Sequence, residues 1–117
     1  MQYLVIFRED PRLSAAIPPP VLIEMVLATG DWLGEVKLSG QATEALFMSG
    51  EHGGFAIFNA DSGGQLADLV ESCPARPFCS VETIPLMTAT EAKSVQLKNQ
   101  AKIGEMMQKM AAMAGAH

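Results

Sequence analysis

The sequence predicts an α+β fold of the ferredoxin-like type. Its expected order is β-α-β-β-α-β, with a four-stranded antiparallel sheet, both helices on one face and a further C-terminal helix. Three observations predict it. Four short runs rich in aromatic and β-branched residues are bounded by glycine, proline and acidic turn signals. Two stretches with apolar residues at helical spacing separate the first run from the second and the third from the fourth. The two middle runs are joined by the short, glycine-rich "SGEHGG", a hairpin signal.

The first strand is "QYLVIFR", Gln2 to Arg8, ending at the turn-like "EDPR". A loop is expected as far as "IPPP", whose last proline can open a helix because the first turn has no use for its N–H. From Val21 to about Leu38, the residues Leu22, Met25, Val26, Thr29, Leu33 and Val36 recur at helical spacing. Gly30 and Gly34 each weaken this helix by about 1 kcal/mol relative to alanine. A break at "TGD", recapped by Asp31, is therefore open. Thr43 to Met48 form the second strand and Gly54 to Ala60 the third. Asp61 or Ser62 can cap the second helix, whose apolar face is Leu66, Leu69 and Val70, and Pro74 and Pro77 end it. "FCSVETIPLM" is the fourth strand, with Pro85 at its end, where a missing N–H does little harm. Residues 1–87 make one domain, and residues 88–117 a helical extension in which Ile103, Met106, Met107, Met110 and Met113 form one stripe.

Both sides of the strands are apolar. Tyr3, Val5 and Phe7 alternate with Leu4 and Ile6, and Phe55 and Ile57 with Ala56 and Phe58. A sheet with one wet face would carry polar residues at every second position. Two helices cover one face only, so a second copy is the expected cover for the other. That arrangement is a homodimeric α/β barrel. The methionine stripe must also be buried, either on the partner subunit or on the chain's own helices.

Composition narrows the function classes. A net charge of −5 with eight basic residues gives no electrostatic footprint for nucleic acid and disfavours an anionic membrane surface. No apolar run is long enough to span a bilayer. The apolar stretch Tyr3 to Phe7 is too short for a secretory signal and has no basic region before it, so a cytoplasmic location is expected. Cys73 and Cys79 lack histidines at ligand spacing, so no metal site is expected. They read as reduced, semi-buried thiols, with Cys73 at a helix end as the candidate for reactivity.

The stretch Gly40 to Leu86 resembles the muconolactone isomerase family of the dimeric α/β barrel superfamily. Gly40 and Gly50 bracket the second strand at the family's spacing, and "FAIFNADS" is similar to its third strand. "QLADLVESCPARPF" resembles its helix and the prolines after it, and "VETIPL", with Glu82, Pro85 and Leu86, its closing strand. The first helix departs: "VLIEMVLATGDWLGEV" is apolar where the family's is polar and charged. The likeness implies the dimeric barrel fold. It also implies an isomerase reaction that moves a proton on a small lactone or organic acid and needs neither metal nor cofactor.

That reaction requires an acid, a base and a cation for the substrate's carboxylate. Glu82 is the first candidate, since a carboxylate among apolar side chains is suited to shuttling a proton. It could equally reach water at a sheet edge or pair with Arg8. His52, in the hairpin turn, is the second catalytic candidate, or a solvated loop residue. Arg8 could bind a carboxylate with its guanidinium fork, or pair with Glu9 or Asp10. Glu24, Trp32 and Tyr3 could line a substrate pocket, or serve as helix surface and core. Three function classes stay open: an isomerase-like enzyme, a cofactor-free oxygenase-like enzyme, and a non-catalytic binding or assembly protein. A cavity lined by Glu82 and Arg8 would favour the first, and an apolar cavity near His52 and Trp32 the second. A solidly filled sheet interface would favour the third.

Overall fold

A computed structural model describes residues 1–115 of the chain. The last two residues of the expected tail, Ala116 and His117, lie outside the described residues. The strands are β1 (Gln2–Glu9), β2 (Ala42–Phe47), β3 (Gly53–Asn59) and β4 (Cys79–Leu86). The helices are α1 (Pro11–Ser14), α2 (Pro19–Leu38), α3 (Gly63–Glu71) and α4 (Ala89–Gly115), and Arg76–Phe78 form a 3₁₀ turn. The strands make one antiparallel sheet in the order β2-β3-β1-β4, which is the ferredoxin-like topology.

Strand alternation sorts the residues into two layers. Val5, Phe7, Ala56 and Phe58 face the helices and are buried with Trp32, Leu33 and Val36 of α2 and Leu69 and Val70 of α3. The opposite face carries Leu4, Ile6, Phe55 and Ile57, joined across the ladder by the pairs Ile6–Phe55, Leu4–Ile57 and Leu4–Ile84. Leu46 on the edge strand extends it and is half exposed. The buried residues of α2 and α3 all pack against the first face.

Four local features add to the expected elements or settle alternatives among them. The loop after β1 contains the single turn α1. Asp10 caps it by accepting the Arg12 backbone N–H at 3.0 Å, with Pro11 in the first turn. A four-residue turn is too short to show apolar periodicity, so its signal is only the cap. Helix α2 starts at Pro19 and runs through "TGD" without a break. The Thr29 hydroxyl donates to the Met25 carbonyl at 2.8 Å, and Gly30 lies under the Phe47 ring, where a Cβ would come within 3.4 Å. A Cβ there would make only ordinary van der Waals contact with Phe47, and the helix continues through this glycine. Ser62, not Asp61, caps α3, accepting the Gln65 N–H at 3.1 Å. Finally, β4 begins at Cys79, so Phe78, expected as its first residue, is instead a buried core residue ending the 3₁₀ turn.

The chain divides into two compact units, with the first spanning Met1–Leu86. The second contains α4, opened by the Thr88 hydroxyl accepting the Glu91 N–H at 3.1 Å. Its stripe residues Ile103, Met106, Met107, Met110 and Met113 are all exposed.

Candidate functional site

The N-terminal half of α2 is wide in its apolar surface, and the helix's buried residues, Thr29, Trp32, Leu33 and Val36, all lie in its C-terminal half. Between α2 and the end of the sheet carrying the β2–β3 hairpin lies a cavity of about 560 Å³. Helix α2 contributes Leu22, Ile23, Val26 and Leu27, and the hairpin contributes Phe47, Met48 and His52. Phe7, Trp32 and Phe78 supply aromatic walls. The size lies within the roughly 300–1,000 Å³ range of small-molecule sites, and the largely apolar lining with few polar groups is their usual character.

The polar groups on this lining are concentrated at the hairpin end. Glu9, the last residue of β1, follows Val5 and Phe7 on the helix-facing side of the sheet. Its Oε2 lies 2.8 Å from Nδ1 of His52. A carboxylate can only accept, so Nδ1 carries the proton and donates, which leaves Nε2 as the basic nitrogen. The contact is supported through the backbone: the Glu9 N–H donates to the His52 carbonyl at 2.9 Å. The Glu9 side chain is largely buried, 22% exposed, whereas His52 is 88% exposed. The hairpin itself is closed by the Met48 N–H donating to the Gly53 carbonyl at 2.9 Å.

Trp32 is held as a rigid wall. Its ring meets Phe7 edge-on, with centroids 5.8 Å apart, and its Nε1–H donates to the Ser72 hydroxyl at 3.0 Å. Ser72 in turn donates to the Leu69 carbonyl at 2.6 Å, which ties the cavity wall to the end of α3. Cys79 also lines the cavity, and burial pushes its thiol up to about 11, helped by the neighbouring Cys73 and Glu9. Burial raises the Cys73 thiol as well, so both stay protonated at neutral pH, against the reactive reading of Cys73.

The candidates read from the sequence fall into two groups. His52 and Trp32 come together on the cavity. Arg8 and Glu82 lie on the other face of the sheet, where Arg8 Nη1 donates to Glu82 Oε2 at 2.9 Å and Nε to Glu51 Oε1 at 2.9 Å. The Glu82 side chain is about half exposed, not enclosed among apolar side chains. Arg8 pairs with neither Glu9 nor Asp10: His52 occupies Glu9, and Arg12 occupies Asp10, holding its carboxyl below the usual range through their hydrogen bonds. Glu24 is exposed on α2 and does not line the cavity, and Tyr3 packs beside the core with its hydroxyl donating to Met1 Sδ at 3.4 Å. The sequence reading missed Glu9 and Glu51, both on the lining. The alternation Val5, Phe7, Glu9 carried the signal for Glu9, hidden because "EDPR" reads as a turn. Among the described residues, no group of three or more potential ligands could hold a metal ion. No helix among them is long and apolar enough to cross a membrane.

Comparison with solved structures shows a muconolactone isomerase-like fold. A crystal structure of muconolactone isomerase superposes with a TM-score of 0.64 at 16% identity, covering 75% of this chain and 90% of that one. A second similar structure is 5-chloro-2-hydroxyhydroquinone dehydrochlorinase from Burkholderia phenoliruptrix AC1100, in complex with 2,5-dihydroxybenzoquinone. It superposes with a TM-score of 0.52 at 20% identity, covering 78% of this chain and 98% of that one. At such identities the likeness is one of fold. No curated protein matches the chain in sequence. The chain belongs to the family described as Domain of unknown function (DUF3303), whose model matches residues 1–100.

Proposed function

We propose that this protein is an enzyme that moves a proton on a small organic molecule held in the cavity between α2 and the β2–β3 hairpin. The observation that supports it is the 2.8 Å contact between Glu9 and His52 on an otherwise largely apolar lining. His52 is the base: Nε2 takes a proton from a carbon beside a carbonyl, and the electron pair moves onto the carbonyl oxygen as an enolate. The imidazolium then returns the proton to another carbon of the conjugated system, so the bond shifts and nothing is consumed. Glu9 orients the imidazole and stabilises its charged form. Such chemistry calls for neither metal nor cofactor. Both structural neighbours are named for reactions of small unsaturated ring compounds, which agrees with this reading.

The protein acts as a homodimer in this proposal. The apolar face built from Leu4, Ile6, Phe55, Ile57 and Leu46 supports a second copy packed sheet to sheet. A second reading, cofactor-free oxygenation, uses the same base and is favoured by one observation: Trp32 and His52, rather than Arg8 and Glu82, border the cavity. There the deprotonated ring compound would react with dioxygen instead of being reprotonated.

The test is turnover of a cyclic β,γ-unsaturated ketone, followed by the ultraviolet absorbance of the conjugated product, with dioxygen uptake recorded in parallel. Wild type should isomerise it, and His52→Ala should lose about 10²-fold or more. Equal rates for the two would refute the proposal. Dioxygen uptake without isomerisation would select the second reading, and ligand binding without either would make this a binding protein.

A further inference from the structure

The charges around the cavity restrict what it can hold. The first unit has four basic side chains, Arg8, Arg12, Lys37 and Arg76. Each is already engaged by a carboxylate. Arg8 joins Glu51 and Glu82 at 2.9 Å each, and Arg12 joins Asp10 at 3.2 Å. Lys37 joins Glu44 at 3.3 Å, and Arg76 joins Glu71 at 3.2 Å. Acidic side chains outnumber basic ones in this unit, eleven to four. The chain's other cations, Lys93, Lys98, Lys102 and Lys109, belong to α4 in the second unit.

The ionisable side chains lining the cavity are Glu9, Glu51 and His52, together with the thiol of Cys79. Among the described residues, no arginine or lysine lines it. An anionic ligand there would lose its hydration against apolar walls and gain no cation in return. It would also meet the field of two carboxylates, an interaction that weakly screening apolar surroundings make stronger. A cationic ligand fares little better, since Glu9 is committed to His52 and Glu51 to Arg8. Both lining carboxylates already have partners, His52 for Glu9 and Arg8 from outside the lining for Glu51, so neither is free for a guest. What it offers is aromatic surface, from Phe7, Trp32, Phe47 and Phe78, and one imidazole.

We infer that the cavity selects an uncharged, weakly acidic ring compound, such as a phenol or a cyclic ketone, and turns away carboxylates. The ring lies against the aromatic walls, and the hydroxyl or carbonyl group meets the hairpin end, where His52 stands. This deepens the proposed function, since it rests on the same cavity being the ligand site. It separates the protein from a lactone-carboxylate isomerase: the arginine that such a substrate would need lies on the opposite face of the sheet, clamped between Glu51 and Glu82.

The experiment compares naphthamide with naphthoate by calorimetry on the full chain near neutral pH. The two probes share their shape and differ in charge. Naphthol serves as a third, uncharged probe. Naphthamide and naphthol should bind at least about tenfold more tightly than naphthoate, which is about 1.4 kcal/mol. Glu51→Gln should narrow that ratio, and a thermal melt confirms that the variant is folded. Naphthoate binding as tightly as naphthamide would overturn the inference, and so would a failure of all three to bind. Tight naphthamide binding with no isomerisation of the unsaturated ketone would defeat the proton-transfer proposal and leave this inference standing.

Discussion

Glu9 and His52 meet twice: the carboxylate Oε2 lies 2.8 Å from the imidazole Nδ1, and the Glu9 N–H donates to the His52 carbonyl at 2.9 Å. The end of β1 thereby fixes both the backbone and the ring of a residue on an otherwise polar turn. This double attachment holds His52 in place although its side chain is 88% exposed. Because Glu9 acts through His52, Glu9→Gln should lower turnover of the unsaturated ketone by about 10-fold or more while leaving naphthamide affinity unchanged. Paired kinetics and calorimetry check it. A parallel loss of affinity would make Glu9 a binding residue instead.

The hairpin that carries His52 requires glycine at position 53. A Cβ there would collide with the Phe7 carbonyl oxygen, and it would stand 2.7 Å from Met48 Cε and 3.2 Å from Arg8 Cα. Two of these atoms are backbone of the central strand and cannot give way. Gly53→Ala should therefore cost about 1–3 kcal/mol in denaturant unfolding. At Gly50 an added Cβ meets nothing within 4 Å, so Gly50→Ala should stay within about 0.5 kcal/mol of wild type.

Stability should fall in mild alkali. The Cys79 thiol titrates at about 11 in the folded protein, above its ordinary value of 9.0, because burial disfavours the thiolate. The unfolded chain therefore releases this proton first as pH rises. The stabilisation is complete below about pH 9 and is lost progressively towards pH 11. Denaturation midpoints measured across this window should decline for wild type and decline less steeply for Cys79→Ala.

Assembly can be tested apart from the cavity. Phe55 and Ile57 lie on the sheet face opposite α2 and α3, and neither lines the cavity. In sedimentation equilibrium the wild type should be a dimer. Ile57→Lys should shift it to monomer by placing a charge in an apolar contact. A monomeric wild type would remove the sheet-to-sheet arrangement.

Much of the architecture was legible because strand alternation is a local signal. Leu4 and Ile6 against Val5 and Phe7 identified a sheet apolar on both faces, and the glycine-rich turn placed the hairpin. The site was less legible because it depends on tertiary placement. Glu82 and Arg8 are strand residues whose identity suggests chemistry, yet register brings them together as an ion pair away from the cavity. Glu9 sits at the junction between strand and turn, where the period-two pattern is about to end. Trp32 was a pocket candidate among core alternatives, and it serves as both: buried against Phe7 and Phe58, and exposed to the cavity along one edge of its environment. Helix α2 runs uninterrupted through Gly30, which lies beside the Phe47 ring, a tertiary neighbour that local propensity does not contain.

The central claim is that ligand binds on the helix-facing side of the sheet, between α2 and the hairpin. Amide chemical-shift mapping by NMR, with naphthamide titrated into the isotope-labelled full chain, tests it most directly. Shifts concentrated at Leu22, Leu27, Phe47, His52 and Gly53 are the predicted result. Shifts centred on Leu4, Ile6, Ile57 and Glu82 would contradict it and put the site on the opposite face.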